Sequence, residues 1–354
     1  MNYSDRISVL QNRITAEGFD GFLITLPIHI RYISGFLGSN GSLLVENGNV
    51  HLFTDTRYIT AAKQEAPHCE LHIVKSVSSD ALALAKSLGL KSVAVEGEWI
   101  SANEFVSLQS VAGVSVKATS NFVEDIRLVK EPEEIAAIET ACDITSLSWK
   151  QLIESGVEGK SELEISFQLE HLFRLNGAED RAFDSIVATG PNSAIPHHHP
   201  TSRIVARGDL LKIDCGAKYF GYHADMTRTV VVGQISDWQK EIYELVQESQ
   251  QIGKDLCKPG NDVFPINDAL YEVIREAGYG SNILHASGHG VGLEIHERPF
   301  LGRTDGILAP CMPITVEPGI YLEGQGGVRI EDTIEVIADG YRDLTKATRD
   351  LLVV

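Results

Sequence analysis

Hydrophobic positions along the chain recur with two different periods, and the switches between them outline the elements. Residues 4–17 place Ile7, Leu10 and Ile14 on one helical stripe. GFLITL (21–26) is an apolar run of strand length. RYISGFLGSNGSLLV (31–45) ends in a strand after a turn rich in Gly, Ser and Asn. HLFTD (51–55) and SVAVEG (92–97) read as further strands, with a helix over DALALAKSLG (80–89) between them that stops at a glycine. From LVKEPEEIAAIETACDI onward a second part begins. Pro132 suits a first helical turn, and Glu133 and Glu134 complement the helix dipole. Ser161 opens another helix with the capping pattern S-E-L-E, and that helix closes at Asn176-Gly177. Long helices follow at about 237–254 and 265–277, the latter ending before Gly278. The pattern predicts an α/β (α+β) protein with two domains, residues 1–127 and 128–354. The length of 354 residues fits two domains of ~100–200 residues each.

Composition narrows the possible roles. With 30 Lys+Arg against 49 Asp+Glu, the net charge is −19, which repels phosphate backbones and argues against nucleic acid as a partner. Five cysteines (Cys69, Cys142, Cys215, Cys257 and Cys311) are spread out without a C-x-x-C, against a disulfide framework or a zinc knuckle and in favour of a reducing compartment. No basic segment followed by an apolar core opens the chain, and no apolar run reaches the ~18 residues of a membrane span. The expectation is a soluble, cytoplasmic protein with no membrane partner.

Candidate chemistry gathers late in the chain. Of 12 histidines, seven lie between 197 and 296: His197, His198, His199, His223, His285, His289 and His296. LLKIDCGAKYFGYHADMTRTVVV (210–232) reads as a hairpin; a turn centred between Tyr219 and Phe220 would set Asp214 opposite Asp225, with Cβ atoms ~5 Å apart. TVEPGIYLEGQGGVRIEDTIEV (315–336) reads as a second hairpin, whose turn centred on Gly324 sets Glu317 opposite Glu331. Facing carboxylates repel unless they are solvated, protonated or bound to cations. With His289 in SGHGVG, where glycines allow close backbone approach, the set suits two divalent cations ~3.5–4 Å apart. Oxygen ligands with one nitrogen favour Mn²⁺, with Co²⁺ or Zn²⁺ as the other choices.

Asp214, Asp225, His289, Glu317 and Glu331 resemble, in order and spacing, the five metal ligands of the pita-bread metallopeptidases. IDCG, HADMTRT, SGHGVG, VEPGIY and GVRIED look like strings of the prolidase and aminopeptidase P branch, and RYISGFLGSNG and LFTDTRY look like its creatinase-type N-terminal domain. The resemblance covers nearly the whole chain. It implies that Asp214 holds one ion, His289 and Glu317 the other, and that Asp225 and Glu331 bridge. It further implies that the ions activate a water, with Glu317 as proton shuttle. His197 in NSAIPH and His296 in the HERP string match histidines that bind substrate and the oxyanion. His285 matches a further active-site histidine, and Arg329 and Tyr321 match a supporting arginine and tyrosine. The implied substrate is a short peptide with proline at the second position, cleaved at the Xaa-Pro bond. A dipeptidase (prolidase) is slightly preferred over an aminopeptidase P acting on longer peptides. A homodimer is implied as well. A non-catalytic peptide-binding scaffold of the same fold is the remote alternative, since such relatives typically lose ligands.

Other motifs read as structure. His198 and His199 are expected to be surface or pocket-lining, His223 a packing histidine and Cys215 core. Gly159-Lys160-Ser161 lacks the first glycine of a phosphate loop, since position 154 is Glu154. Gly288-His289-Gly290 lacks the third glycine of a dinucleotide fingerprint, which would fall at Leu293, and His296-Glu297 lacks the second histidine of a zinc helix. There is no G-x-S-x-G elbow.

Overall fold

The computed structural model describes residues 1–111, 113–303 and 306–354. The chain forms two compact units, Met1–Arg127 and Leu128–Val354.

The first unit alternates helix and strand. Its strands are β1 (Gly21–Ile24), β2 (Gly41–Glu46), β3 (Val50–Thr54), β4 (Glu70–Ile73), β5 (Ser92–Glu96) and β6 (Ser115–Thr119). Among the described residues they form one sheet in the order β4-β3-β2-β1-β5-β6. β1–β2 and β2–β3 are antiparallel, while β3–β4, β1–β5 and β5–β6 are parallel. Helices α1 (Tyr3–Ala16), α2 (Pro27–Ser34), α3 (Ile59–Glu65), α4 (Val77–Ser87), α5 (Ala102–Gln109) and α6 (Glu124–Arg127) connect or flank the strands. β1 and β5 are buried throughout or nearly so, which is why their centres, FLI (22–24) and VAV (93–95), are continuous apolar runs rather than alternating ones. Leu23, Leu44, Val93 and Val95 pack with Ala81, Leu82 and Ala85 of α4 into one core. The run 31–45 divides: Arg31–Ser34 finish α2, which closes on left-handed Gly35 (φ 82°), and only the end becomes β2.

The second unit repeats one plan twice, two helices followed by antiparallel strands. α7 (Pro132–Glu154) starts with Pro132 in its first turn and a Glu131/Glu134 capping box; α8 (Glu162–Leu175) starts with a Ser161/Glu164 box. They precede β7 (Asp180–Arg181), β8 (Ile186–Thr189), β9 (Leu210–Cys215), β10 (Ala217–Tyr219), β11 (Tyr222–His223) and β12 (Met226–Val231). α9 (Asp237–Leu256) and α10 (Ile266–Glu276) precede β13 (His289–Gly290), β14 (Glu297–Phe300), β15 (Pro313–Val316), β16 (Gly319–Leu322), β17 (Gly326–Arg329), β18 (Asp332–Ile337) and β19 (Gly340–Asp343). Each half buries its own core. Ile165, Leu169 and Phe173 of α8 meet Leu211, Ile213 and Cys215 of β9. Ile266, Leu270 and Ile274 of α10, at helical spacing, meet Ile314, Val316 and Ile334. Cys215 is fully buried in the first core, as expected.

The halves are joined behind the strands by a buried ionic cluster. Arg228 on β12 donates to Asp332 Oδ1 at 2.6 Å and to the carbonyls of Glu331, Ala347 and Thr348. Lys254 of α9, fully buried, donates to Asp332 Oδ2 at 3.0 Å. Burial alone would raise the Asp332 pKa, but Arg228 and Lys254 outweigh it and hold the carboxyl below its ordinary value. Asp332→Ala would leave buried Arg228 without its carboxylate and Lys254 with only that of the partly exposed Asp343. It is expected to destabilise the protein by about 3–5 kcal/mol in urea denaturation, whereas Asp343→Ala, at a side chain 40% exposed, is expected to cost far less.

Candidate active site

The second hairpin follows the expected register. Val316 pairs with Asp332 and Gly319 pairs with Arg329, which leaves Glu317 opposite Glu331 in the gap between the β15/β18 and β16/β17 ladders. At this gap the strands exchange partners. The Glu317 N–H donates to Ser287 O at 2.8 Å and the Glu331 N–H to Thr227 O at 3.1 Å. Thr227 Oγ1 also donates to Glu331 Oε2 at 2.7 Å. The two hairpins therefore meet at Glu331.

The first hairpin corrects the expected register. Thr227, not Asp225, pairs with Asp214, and Tyr219 pairs with Tyr222, so the turn is Phe220-Gly221. Both residues have positive φ, 46° and 76°, the signature of a tight two-residue hairpin turn. Phenylalanine is not a residue that announces such a turn, which is why the pattern misplaced it. Asp225 comes opposite Gly216 and is a diagonal neighbour of Asp214 on the same face. A Cβ on Gly216 would lie 1.9 Å from Ala224 O, so glycine is required for the bend that brings Asp225 inward.

One cavity of about 470 Å³ gathers Asp214, Asp225, His289, Glu317 and Glu331 with His197, His285, His296 and Arg329. Ligand atoms of Asp225, His289 and Glu331 lie within 4.8 Å of one another. His289 Nε2 lies 3.6 Å from Asp225 Oδ2 and 3.5 Å from Glu317 Oε1, too far for hydrogen bonds and close enough to share a cation. Its Nδ1–H donates to Gly290 O at 3.0 Å, and burial drives its pKa down to about 3, so Nε2 presents a lone pair. Asp214 gives Oδ2 to the Arg329 guanidinium, while its Oδ1 is buried without a hydrogen-bond partner.

The carboxyls strain against this arrangement. Burial first, then Glu331, Asp214 and Glu317, push Asp225 well above its ordinary pKa. Burial, Glu317 and Asp214 do the same to Glu331, and burial pushes Glu317 up to about 8. Clustered acids that resist ionisation, an orphaned carboxylate oxygen and a neutral imidazole with its lone pair turned inward are the donor set that divalent cations complete. The residues fit a metal centre.

The supporting groups form a chain behind it. Arg329 Nη1 donates to Tyr321 Oη at 2.9 Å and Nε donates to Thr227 Oγ1 at 2.9 Å. Tyr321 Oη lies 2.7 Å from His285 Nε2. Burial holds Tyr321 up at about 12 and His285 down at about 3, so the phenol donates to a neutral imidazole. Tyr321 is buried and does not line the cavity; it acts through Arg329 and His285. His197 and His296 are exposed on its wall, and burial, the largest influence on both, lowers their pKa values.

Three features escaped the sequence reading. His198, expected at the surface or lining a pocket, is only 8% exposed and lies 2.9 Å from Glu162 Oε2. Glu162, fully buried at the start of α8, also accepts from Thr189 N–H, Asn192 Nδ2, Thr201 N–H and Thr201 Oγ1. These five bonds pin the segment that carries His197. Lys212, fully buried two residues before Asp214, donates to the carbonyls of Ser193 and Ile195 at 3.1 and 2.7 Å and holds the same segment from the other side. A lysine inside the apolar run LLKIDC was the available signal. Arg303, exposed, lines the cavity; nothing in its local sequence marks it. His223 is buried against Gly292 O at 3.0 Å, a packing role as expected, and His199 is exposed.

With the geometry in place, comparison with known proteins is specific. Residues 136–338 match metallopeptidase family M24 and residues 6–129 match the creatinase/prolidase N-terminal domain. The chain belongs to metallopeptidase family M24, in its prolidase branch, and is a metal-dependent hydrolase with the pita-bread fold. It is 37% identical to the Xaa-Pro dipeptidase of Pyrococcus furiosus, over 98% of this chain and 99% of that one. The structure of the Xaa-Pro dipeptidase from Bacillus anthracis superposes with a TM-score of 0.97 at 35% identity, covering 100% of both chains. The X-Pro aminopeptidase from Thermotoga maritima superposes with a TM-score of 0.89 at 36% identity, covering 98% of this chain and 99% of that one.

Glu162→Ala removes an acceptor from five donors. It is expected to cost about 3 kcal/mol or more of unfolding free energy and to raise KM, with metal content unchanged because Glu162 touches none of the cavity carboxylates. Metal analysis beside denaturation and steady-state kinetics checks this.

Proposed function

We propose that this protein is an Xaa-Pro dipeptidase acting through two divalent ions held by Asp214, Asp225, His289, Glu317 and Glu331, with catalysis in residues 128–354 and a creatinase-like domain in 1–127. The observation that carries the reading is the convergence of four carboxylates and one neutral imidazole in a single cavity. The oxygen-rich donor set favours Mn²⁺ over Co²⁺ or Zn²⁺. Bound there, the ions supply Lewis acidity that lowers the pKa of water and polarises a carbonyl.

The chain's own groups do the rest. Glu317 is placed to take a proton from the attacking water and return it to the prolyl nitrogen as that nitrogen leaves. His197 and His296, largely neutral at pH 7, each offer one N–H to the substrate carbonyl or to the oxyanion that follows. Arg329 fixes the angle of Asp214 and, through Tyr321, the orientation of His285. Phe183, Ile186, Ile295 and Phe300 give the cavity an apolar side suited to a proline ring, which general peptidase sites handle poorly. Arg303 supplies a positive charge for the carboxylate of a dipeptide. Likeness to the Thermotoga maritima enzyme keeps aminopeptidase P as the second reading. We extend the family likeness to a homodimer, which a monomer in sedimentation equilibrium would refute.

Asp225→Asn and His289→Ala are each expected to lower bound metal and to cut Ala-Pro hydrolysis at least ~100-fold, the upper range for changes one shell further out. Full metal with unchanged turnover would remove the mechanism. Arg303→Gln is expected to raise KM for Ala-Pro while leaving Ala-Pro-Ala little affected; equal efficiency on both peptides in the unaltered enzyme would favour aminopeptidase P.

A further inference from the structure

A second cluster of ligand-type side chains lies in the N-terminal unit, outside the catalytic residues. β4 is the edge strand of the sheet and pairs in parallel with β3, with His51 beside Glu70 and Phe53 beside His72. Side chains on one face then bring His51 and Glu70 together, with His72 one step further along. His51 Nδ1 lies 3.2 Å from His72 Nε2 and 3.3 Å from Glu70 Oε2, and His72 Nε2 lies 3.7 Å from Glu70 Oε1. At tetrahedral angles, metal–ligand bonds of ~2.0–2.1 Å separate neighbouring ligand atoms by about 3.3–3.4 Å. The two separations from His51 Nδ1, 3.2 and 3.3 Å, lie close to that edge length, and one ligand atom from each of the three residues can be chosen with all within 4.8 Å of one another.

A second observation points the same way. His51 is 3% exposed, and its Nε2 is buried without a hydrogen-bond partner. Glu46 Oε1 lies 3.7 Å from that nitrogen, at the end of β2. A bond from a cation to Nδ1 would fix the proton on Nε2, facing a carboxylate. That carboxylate–imidazole–metal order is the usual outer support of a histidine ligand. The His72 ring stacks on Phe53 at 4.6 Å between centroids and 15° between planes, which fixes its direction.

We propose that His51, Glu70 and His72 form a divalent-metal site suited to Zn²⁺, with a fourth position open to water, which clamps edge strand β4 onto β3. Two imidazoles and one carboxylate are borderline ligands that suit zinc better than the oxygen-rich catalytic set does. The site also restrains an unpaired sheet edge, where a short strand has little else to hold it.

The test uses the full-length protein loaded with Mn²⁺, equilibrated with micromolar Zn²⁺, with bound zinc counted by mass spectrometry after removal of free ions. Unaltered protein is expected to hold one more zinc per chain than His72→Ala, and Zn²⁺ is expected to raise its melting temperature more. Glu70→Gln is expected to weaken that extra zinc at least tenfold; its side chain is 60% exposed, so this variant reports on the site even if His72→Ala folds poorly. Ala-Pro hydrolysis measured with Mn²⁺ alone is expected to stay within twofold in both variants. Equal zinc stoichiometry and equal melting shifts in all three proteins would show that His51 and His72 share only a hydrogen bond, and would overturn the proposal.

Discussion

Like-charge repulsion inside the cavity is the constraint on which the second unit depends. Two carboxylates ~5 Å apart repel by about 3 kcal/mol at an effective dielectric of ~20, and this site brings four together. The buried guanidinium of Arg329 is committed to Asp214, and Arg303 stands on the exposed wall of the cavity. The remaining acids are pushed toward their protonated forms. A fold that keeps such a set has either a surplus of buried negative charge or bound cations that remove it. The inward lone pair of His289, 3.5–3.6 Å from Glu317 and Asp225 and hydrogen-bonded to neither, adds a nitrogen donor of the kind that cations take.

Rigidity follows from how the two hairpins are fastened. Glu331 receives a hydroxyl from Thr227 through its side chain and gives its own N–H to the Thr227 carbonyl. Its neighbour Asp332 points to the opposite face and takes Arg228 and Lys254. A period-two strand thus places a cavity acid and an anchoring acid side by side, one on each face. The anchor resists the repulsion felt by its neighbour, because moving the strand outward would break a buried ion cluster. The same alternation on β12 sets Thr227 toward the cavity and Arg228 toward the anchor.

Sequence pattern reveals such features where one rule dominates. Glu317 and Glu331 were legible as a pair because a glycine-rich tip fixes the register of their hairpin. Asp214 and Asp225 were legible as neighbours but not as diagonal ones, since the turn rests on Phe220 in a conformation phenylalanine rarely takes. Both capping boxes in the first half of the catalytic unit were readable or nearly so from Ser161 and Pro132. β4 was not, because an edge strand with half-exposed positions carries no strong alternation. Glu162, His198 and Lys212 were invisible for another reason. Their partners are backbone groups of a loop, and no residue code records where a carbonyl will point.

Substrate length is a further electrostatic problem posed by the same cavity. In an Xaa-Pro dipeptide the terminal carboxylate sits two bonds from the scissile nitrogen, so it must enter a space already crowded with acids. In a longer peptide that position is a neutral carbonyl. The four cavity acids and the imidazole of the proposed metal site cannot make this distinction, because on that reading they face the scissile bond in either case. A cation on the wall can make it; Arg303 lines that wall, whereas Arg329 is held by Asp214 and Tyr321. On the proposed reading, hydrolytic chemistry and choice of peptide length are therefore separable: the first is assigned to two interlocked hairpins, the second to the charge of the rim.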